Sequence, residues 1–261
     1  MYRLTTLTTY EDELKNSVQY DGEPLSTNIN VTFKGTNNQL IVETPARIDR
    51  LTLAFDCNNA IVRIASNSRK QGSLLRLSAR VGEDCSIRIG KNVTMTATCF
   101  LTAAEGTSIT IGNDCMIASN NEIRTHDGHP IFDVRSGKRT NTARSISIGN
   151  HVWLAKDAVV LSGAEVGDGS VIGHRSVVTK KIPNNCIAVG APARVVRRDI
   201  AWERPNLTMT EPFYKPDVTA IKKSRYWAPT ASDAQKKRSL FRRAASAVRR
   251  HSINFARHLR N

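Results

Sequence analysis

The sequence is poor in the features that mark membrane-spanning, secreted and helical proteins. No run of about 18 apolar residues occurs, which excludes a transmembrane helix. Residues 1–12 contain no apolar stretch of the kind found in secretory signals, so we expect a cytoplasmic protein. Aromatic residues make up only 6% of the 261 residues, whereas Val, Ile, Thr, Asn and Gly are frequent. This composition favours an all-β fold.

Disulfide bonds are also not expected. The five cysteines are an odd number, are widely spaced and form no CxxC pair. This pattern predicts reduced thiols in a cytoplasmic protein rather than a disulfide framework. We expect Cys85 and Cys115 to be packing residues rather than nucleophiles.

The positive charge is unevenly spread. The formal net charge is +15, but residues 234–261 hold nine basic and no acidic residues, which leaves +6 for all the others. An apolar stripe at helical spacing runs through the same segment: Leu240, Ala244, Val248, Phe255 and Leu259. We therefore predict a basic amphipathic α-helix over 234–261 that contacts an anionic membrane surface or polyanion. The alternatives are a solvated helix packed on its own protein and a partly disordered tail. The charge outside this segment gives no reason to expect a nucleic-acid partner.

A six-residue repeat dominates the middle of the chain. Aliphatic residues recur at every sixth position, namely Ile148, Leu154, Val160, Val166, Ile172 and Val178. The same spacing occurs earlier, at Ile111, Ile117 and Ile123 and at Ile89, Met95 and Leu101. A period of six fits neither a helix nor a repeat of helix pairs, but it fits one short strand and one corner. Three such sides close a triangular coil, so the repeat predicts a parallel β-helix rather than an antiparallel sandwich.

The rest of the chain divides around this repeat. Residues 1–80 read as irregular early coils of the same solenoid, with strands predicted at 29–33, 40–42, 51–55, 61–64 and 74–77. Residues 81–198 form the β-helix domain, and residues 199–233, which contain four prolines, read as an extended connector. The pattern stops between Ile123 and Ile148, which predicts a loop over 124–147. Loops that leave a rigid scaffold often carry function, and this one contains His126 and His129.

Several segments within 81–198 resemble one family when taken in order. They are 127–131 (Asp-Gly-His-Pro-Ile), 152–155 (Val-Trp-Leu-Ala), 171–173 (Val-Ile-Gly), 176–180 (Ser-Val-Val-Thr-Lys), 182–183 (Ile-Pro) and 190–195 (Gly-Ala-Pro-Ala-Arg-Val). With the hexads, they resemble the hexapeptide-repeat acyltransferases, and most closely the sugar and polysaccharide O-acetyltransferases. The resemblance implies a left-handed parallel β-helix, a homotrimer, acetyl-CoA as the acetyl donor and no metal. It also implies a carbohydrate acceptor, which we expect to be a capsular or other surface polysaccharide or its precursor.

The resemblance also implies roles for individual residues. The family's catalytic histidine falls on His129, as a general base that deprotonates a sugar hydroxyl during direct attack on the thioester. Trp153 would wall the site. Lys156 stands where galactoside enzymes carry serine, so a backbone N–H near it is the expected oxyanion donor. His126 remains a rival or an assistant to His129.

The coenzyme groove is likewise carried over from the family. The residues that it implies are Ala155, Gly173, His174, Thr179, Lys180, Arg194 and Arg197. Small residues would let the pantetheine arm lie against the backbone, and the basic ones would hold phosphates. The family often has alanine at the position of His174, so the larger histidine would change the lining of the groove.

Other functions remain open from the sequence. One alternative is an N-acetyltransferase for an amino-sugar nucleotide or a xenobiotic, and another is a β-solenoid that binds polysaccharide without turnover. A serine acetyltransferase is disfavoured because the segment 1–80 is β-like rather than helical. A zinc site built from His126, His129, His151 and His174 is a further alternative, although their spacing matches no strong zinc motif.

Overall fold

The computed structural model describes residues 1–70, 72–205 and 222–231. Within these ranges the regular secondary structure is entirely β. None of the described ranges contains a helix with the length and hydropathy needed to cross a bilayer. The strands are β1 (Tyr2–Leu4), β2 (Tyr10–Glu11), β3 (Ser17–Gln19), β4 (Ile29–Phe33), β5 (Gln39–Val42), β6 (Ile48–Phe55), β7 (Ile61–Ile64), β8 (Leu75–Val81), β9 (Ser86–Ile89), β10 (Thr94–Met95), β11 (Cys99–Ala103), β12 (Ser108–Ile111), β13 (Met116–Ile117), β14 (Glu122–Arg124), β15 (Ile146–Ile148), β16 (Trp153–Leu154), β17 (Val159–Leu161), β18 (Glu165–Val166), β19 (Val171–Ile172), β20 (Val177–Val178), β21 (Ile187–Val189) and β22 (Arg194–Arg197).

The strands form three sheets, which are the three faces of a solenoid. The first face has the order β1-β4-β6-β8-β11-β14-β17-β20, and the second has the order β18-β15-β12-β9-β7-β5-β3-β2. The third face has the order β10-β13-β16-β19-β21-β22. Seven parallel strands, β4 to β20, stack on the first face and mark seven coils. The predicted all-β, left-handed parallel β-helix is confirmed.

The aliphatic residues of the six-residue repeat point into the interior of the solenoid, as their spacing predicts. From Ile148 to Val178, successive hexad residues fall on the second, third and first faces in turn, and all six are buried. Ile148 pairs with Val166, three hexads further along the chain, and the same offset joins β16 to β19 and β17 to β20. The inward column on the first face runs through Ala79, Leu101, Ile123, Val160 and Val178. Truncation of a large member of such a dry column to Ala costs about 2–5 kcal/mol.

The early coils are longer and use mainly two faces. Strands β4 and β6 pair Ile29 with Leu51, whereas β7 and β9 pair Ile61 with Ser86. Neither offset is a multiple of six, so no hexad frame survives there. Two of the short strands predicted for this region match β4 and β7 from end to end.

Residue 80, where the irregular early coils give way to the regular repeat, does not interrupt the solenoid. It falls inside β8, which pairs with β6 on one side and with β11 on the other. Residues 1–80 are therefore coils of the same solenoid.

Both ends of the solenoid carry strands that run against the coil direction. At the start, β1 pairs antiparallel with β4, and β2 pairs antiparallel with β3. At the other end, β22 pairs antiparallel with β21. The chain then folds back over the corner between the second and third faces, in a segment we call the clasp, defined as residues 199–205 and 222–231. The helix predicted for 234–261 lies outside the described residues.

The cysteines are buried or half-buried free thiols. Burial raises the pKa of both Cys99 and Cys115 to about 12. Such thiols hold little thiolate at neutral pH, which agrees with the packing role predicted for Cys115.

Candidate active site

The predicted loop leaves the corner between the first and second faces, after β14 and before β15. Its tip is a small hairpin in which Phe132 and Arg139 form an antiparallel bridge. Arg139 holds the hairpin against the solenoid through Glu105, with Nη2 and Oε1 2.6 Å apart and Nη1 and Oε2 3.1 Å apart. This hydrogen-bonded pair lowers the pKa of Glu105. The loop is therefore an ordered element on the solenoid surface.

His129 lies exposed on this loop, in a turn held by one amide side chain. Asn141 Nδ2 donates to the carbonyl oxygen of His129 at 2.8 Å and to Oδ2 of Asp127 at 3.0 Å. Asn141 Oδ1 accepts the backbone N–H of Ile131 at 2.8 Å. The residues on either side of His129 are thus fixed, while no side chain of the described residues hydrogen-bonds to its imidazole. Sequence reasoning missed Asn141, because nothing in the spacing links it to His129.

His126 lies in a different environment. Its Nδ1 accepts the backbone N–H of Gly128 at 2.9 Å, so in its neutral form the ring carries its proton on Nε2, which is buried. Gly128 has a φ of +87°, which an L side chain rarely adopts. Burial and the neighbouring charge of Arg124 lower the pKa of His126. One nitrogen is occupied and the other is protonated, so His126 offers no free lone pair to a substrate proton.

A second group of predicted residues lies on the third face and on the corner that follows it. Leu154 points inward, so Trp153 points outward between Met116 and Val171 on the neighbouring strands. The N–H of Ala155 donates to the carbonyl of Ile172 at 2.9 Å.

Lys156 is exposed on the same corner, and its backbone N–H has no acceptor among the described residues. Of the 155–156 pair, Lys156 therefore supplies the N–H that remains available to an oxyanion.

The remaining coenzyme residues are divided between two places. His174 is exposed beside Asp157, with Nε2 and Oδ2 3.5 Å apart, on the corner of Lys156. Gly173 is small for a packing reason, since a Cβ there would lie 2.5 Å from Cγ1 of Val189. The exposed Arg194 and Arg197 lie on β22, which extends the third face. Thr179 and Lys180 follow β20 at the corner that carries the loop.

One protomer does not bring the two groups together. His129, Thr179 and Lys180 lie at the corner between the first and second faces. The third face, which carries Trp153, is opposite that corner in a triangular cross-section. A site that uses both His129 and Trp153 therefore needs the loop corner of one copy against the third face of another.

The histidines of the zinc alternative do not converge either. His126 and His129 share the loop corner, whereas His151 and His174 lie at the two other corners. Both ring nitrogens of His151 are engaged, Nδ1 by Asp114 at 2.7 Å and Nε2 by the carbonyl oxygen of Trp202 at 2.9 Å. Over residues 1–70, 72–205 and 222–231, no group of three His, Cys, Asp or Glu residues is placed to hold a metal ion.

Comparison with known proteins identifies the family. A family model described as bacterial transferase hexapeptide (six repeats) matches residues 145–180. Polysialic acid O-acetyltransferase of Neisseria meningitidis is 32% identical over 195 residues, which cover 74% of this chain and 88% of that protein. The chain belongs to the hexapeptide-repeat acyltransferases. The predicted family and its enzyme class are confirmed.

Two further proteins that are similar to this chain support the same family assignment. Polysialic acid O-acetyltransferase of Escherichia coli O1:K1 is 38% identical over 143 residues, 55% of this chain, and the chain spans 45% of that relative's length. The crystal structure of the polySia-specific acetyltransferase NeuO aligns with a TM-score of 0.62 and 36% identity, and covers 69% of this chain and 81% of NeuO.

Proposed function

We propose that the protein transfers an acetyl group from acetyl-CoA to a sugar hydroxyl of an anionic surface polysaccharide, in the cytoplasm. The donor follows from the family, and the acceptor class follows from the polysialic acid O-acetyltransferases that the chain resembles. The observation that carries the proposal is the contrast between the two loop histidines. His129 is exposed and its imidazole is free to meet a substrate, whereas His126 has no free lone pair to offer. This contrast also favours His129 over His126 as the base.

The chemistry needs no acyl-enzyme. His129 takes the proton of the sugar hydroxyl as that oxygen attacks the acetyl carbon, because an alcohol is a poor nucleophile until it is deprotonated. The carbonyl oxygen becomes an oxyanion, which the free N–H of Lys156 stabilises. The carbon–sulfur bond then breaks, and the CoA thiolate takes up the proton held by His129. Trp153 borders the thioester and shields it from water.

The site in this proposal forms between copies of the chain. His129 and Trp153 lie on opposite sides of one solenoid, so each site takes its loop from one subunit and its third face from the next. A ring of three subunits closes this head-to-tail contact. Beside His129, the loop exposes Ile131 by 55%, Phe132 by 56% and Val134 by 97%, an apolar tip that suits burial against a neighbouring copy.

The phosphates of the coenzyme need basic groups along the same groove. Lys180 lies on the loop corner, whereas Arg194 and Arg197 lie on β22 of the third face. In the assembled site these charges come from both subunits. Together they hold the nucleotide end while Ala155, Gly173, His174 and Thr179 line the pantetheine arm.

The test is an acetyl-transfer assay with purified surface polysaccharides, polysialic acid first, read as CoA thiol release and as acetylated product by NMR. His129→Ala should reduce kcat by at least about 10²-fold, the contribution of a general base, while the variant still binds acetyl-CoA. His126→Ala is the matched control and should retain far more activity. Near-normal turnover by His129→Ala would refute the assigned base.

Complementation tests the shared site. His129→Ala and Trp153→Ala proteins are each expected to be impaired. Subunits mixed after dissociation should recover activity, because some interfaces then join an intact loop to an intact third face. If purified mixed oligomers stay as inactive as the parents, the two residues do not act across an interface.

A further inference from the structure

The clasp buries an aromatic residue that the proposed chemistry does not use. Trp202 lies in a stretch with neither helix nor strand, yet its exposure is only 8%. By contrast, Trp227, also in the clasp, is 40% exposed. Burial of a tryptophan beyond the last coil indicates that it is held in place by specific contacts.

Those contacts form a reciprocal pair with His151 on the corner of the solenoid. Trp202 Nε1 donates to the carbonyl oxygen of His151 at 2.9 Å, and His151 Nε2 lies 2.9 Å from the carbonyl oxygen of Trp202. The two rings stack with centroids 4.0 Å apart and planes 13° apart. Tyr226, from the other part of the clasp, also stacks on His151, at 4.7 Å and 5°.

The position of His151 in its corner supports a dedicated role. The equivalent corner positions of other coils also have a left-handed backbone, but they carry a short side chain or, in glycine, none. These positions are Asn92, Asp114, Gly169 and Asn185. His151 adopts the same left-handed backbone, with a φ of +52°, but adds a large ring. That residue is 2% exposed because the clasp covers it. The corner therefore supplies the surface on which Trp202 is seated.

A second anchor lies two positions further along the clasp. Arg204 donates to Oδ1 of Asp114 at 2.9 Å and to the carbonyl oxygens of Asp114 and Cys115 at 2.7 and 2.9 Å. It also donates to Oγ1 of Thr94 at 2.9 Å. A guanidinium with four acceptors on neighbouring coils fixes the direction of the chain at Trp202. Trp202 is thus held by its own backbone, by its own ring and by the Arg204 anchor.

The Trp202 ring also contacts a residue of the candidate site. Trp202 and Trp153 lie with ring centroids 5.9 Å apart and planes tilted by 47°, within the range of favourable aromatic pairs. Trp153 stands on a two-residue strand and points away from the core, so the coil alone does not fix its side-chain rotamer. We propose that Trp202 is a positioning residue that holds Trp153 in the orientation needed beside the thioester. This inference rests on the proposed function for the role of Trp153, but the contact itself does not.

The chain offers a clean reporter for this contact, because it contains only three tryptophans. The reference protein is Trp202→Phe with Trp227→Phe, which leaves Trp153 as the only tryptophan and keeps an aromatic ring at 202. The test protein is Trp202→Leu with Trp227→Phe. We expect Trp153 to show red-shifted emission and lower anisotropy in the test protein than in the reference. Far-UV circular dichroism and thermal unfolding verify that both solenoids are folded.

Kinetics then separates positioning from structure. With an otherwise native chain, Trp202→Leu should reduce kcat by about 10- to 100-fold, the range expected when a reacting group is displaced by about 1 Å, with a smaller change in the KM for acetyl-CoA. Trp202→Phe should restore most of the loss, and Trp227→Leu is the matched control that should leave kcat unchanged.

The two readouts distinguish the failure of each idea. If Trp153 loses its order in the test protein but no acetyl transfer is found for the native chain, the positioning contact stands and the proposed function fails. If the native chain transfers acetyl and Trp202→Leu changes neither the Trp153 signal nor kcat, the positioning role is refuted. A folded Trp202→Leu protein with a KM effect alone would also overturn it.

Discussion

Asn141 is the most informative residue of the loop to perturb, because its amide joins three points around His129. Asn141→Ala removes hydrogen bonds of 2.8, 2.8 and 3.0 Å to His129, Ile131 and Asp127, and a longer one of 3.3 Å from Nε of Arg139 that does not touch the His129 turn. The three bonds around His129 are exposed, so each contributes near the lower end of the usual range, about 0.5 kcal/mol. Together they amount to about 1.5 kcal/mol, which is roughly the free energy that changes an equilibrium or a rate tenfold.

We therefore expect Asn141→Ala to reduce kcat about 10-fold without changing the melting temperature, since the turn lies outside the solenoid core. Steady-state thiol release measures kcat, and amide hydrogen exchange at Ile131 measures the loss of the turn. Asn30→Ala is the matched control. It removes one exposed bond, from Arg3 at 2.8 Å, on an early coil far from the loop. If the Ile131 amide exchanges faster in Asn141→Ala while kcat stays at the native value, the order of this turn does not matter for catalysis.

The remaining predictions concern the coenzyme and acid stability. Lys180→Ala and Arg197→Ala should each raise the KM for acetyl-CoA about 10-fold with little change in kcat. If the effect disappears with the dephosphorylated coenzyme, the residue holds the phosphate that this coenzyme lacks. An unchanged KM would show that the residue does not line the coenzyme groove. Burial alone would raise the pKa of Asp114, but the hydrogen bond from His151 and the charges of Arg204 and Arg69 lower it overall. Its contribution to stability is therefore present above the unfolded pKa of about 3.9 and is lost as the pH falls further. Chemical denaturation should show that Asp114→Asn lowers the free energy of unfolding at pH 7 and weakens its decline below about pH 4; an unchanged pH profile would contradict this reasoning.

The later coils were predictable because each side of a coil corresponds to one six-residue repeat of the sequence. Ile148 to Val178 fill one interior column per face, and each deviation from the six-residue spacing would turn an aliphatic side chain outward. The early coils also bury aliphatic side chains in stacked parallel strands, but their corners vary in length. Their strands, such as β4 and β7, were recognisable from β-branched residues alone. Their pairing partners were not, since the step from Ile29 to Leu51 differs from the step from Ile61 to Ser86 and leaves no repeating frame.

The candidate site was predictable as a set of residues but not as an arrangement. His129 and Trp153 were identified by resemblance, and nothing in their spacing indicates that they lie on opposite sides of one protomer. The roles of Asn141 and Trp202 depend on contacts between positions well separated in the chain, which no local pattern records. In the structure, His126 differs from His129 by its buried Nε2 and by the hydrogen bond from Gly128, which are details that sequence spacing does not contain.

The reversed strands at the two ends of the solenoid bear on how the protein avoids end-to-end association with other copies. A stack of parallel coils is a template for more coils, and an uncovered end invites another molecule to add on and grow a fibre. At the start, β1 and β2 are short strands that run against the coils, and at the other end β22 does the same. An incoming parallel coil therefore finds an edge of the wrong polarity on the first and second faces at the start of the solenoid, and on the third face at the other end. Subunits are then left to associate through their sides, where the loop and the third face lie.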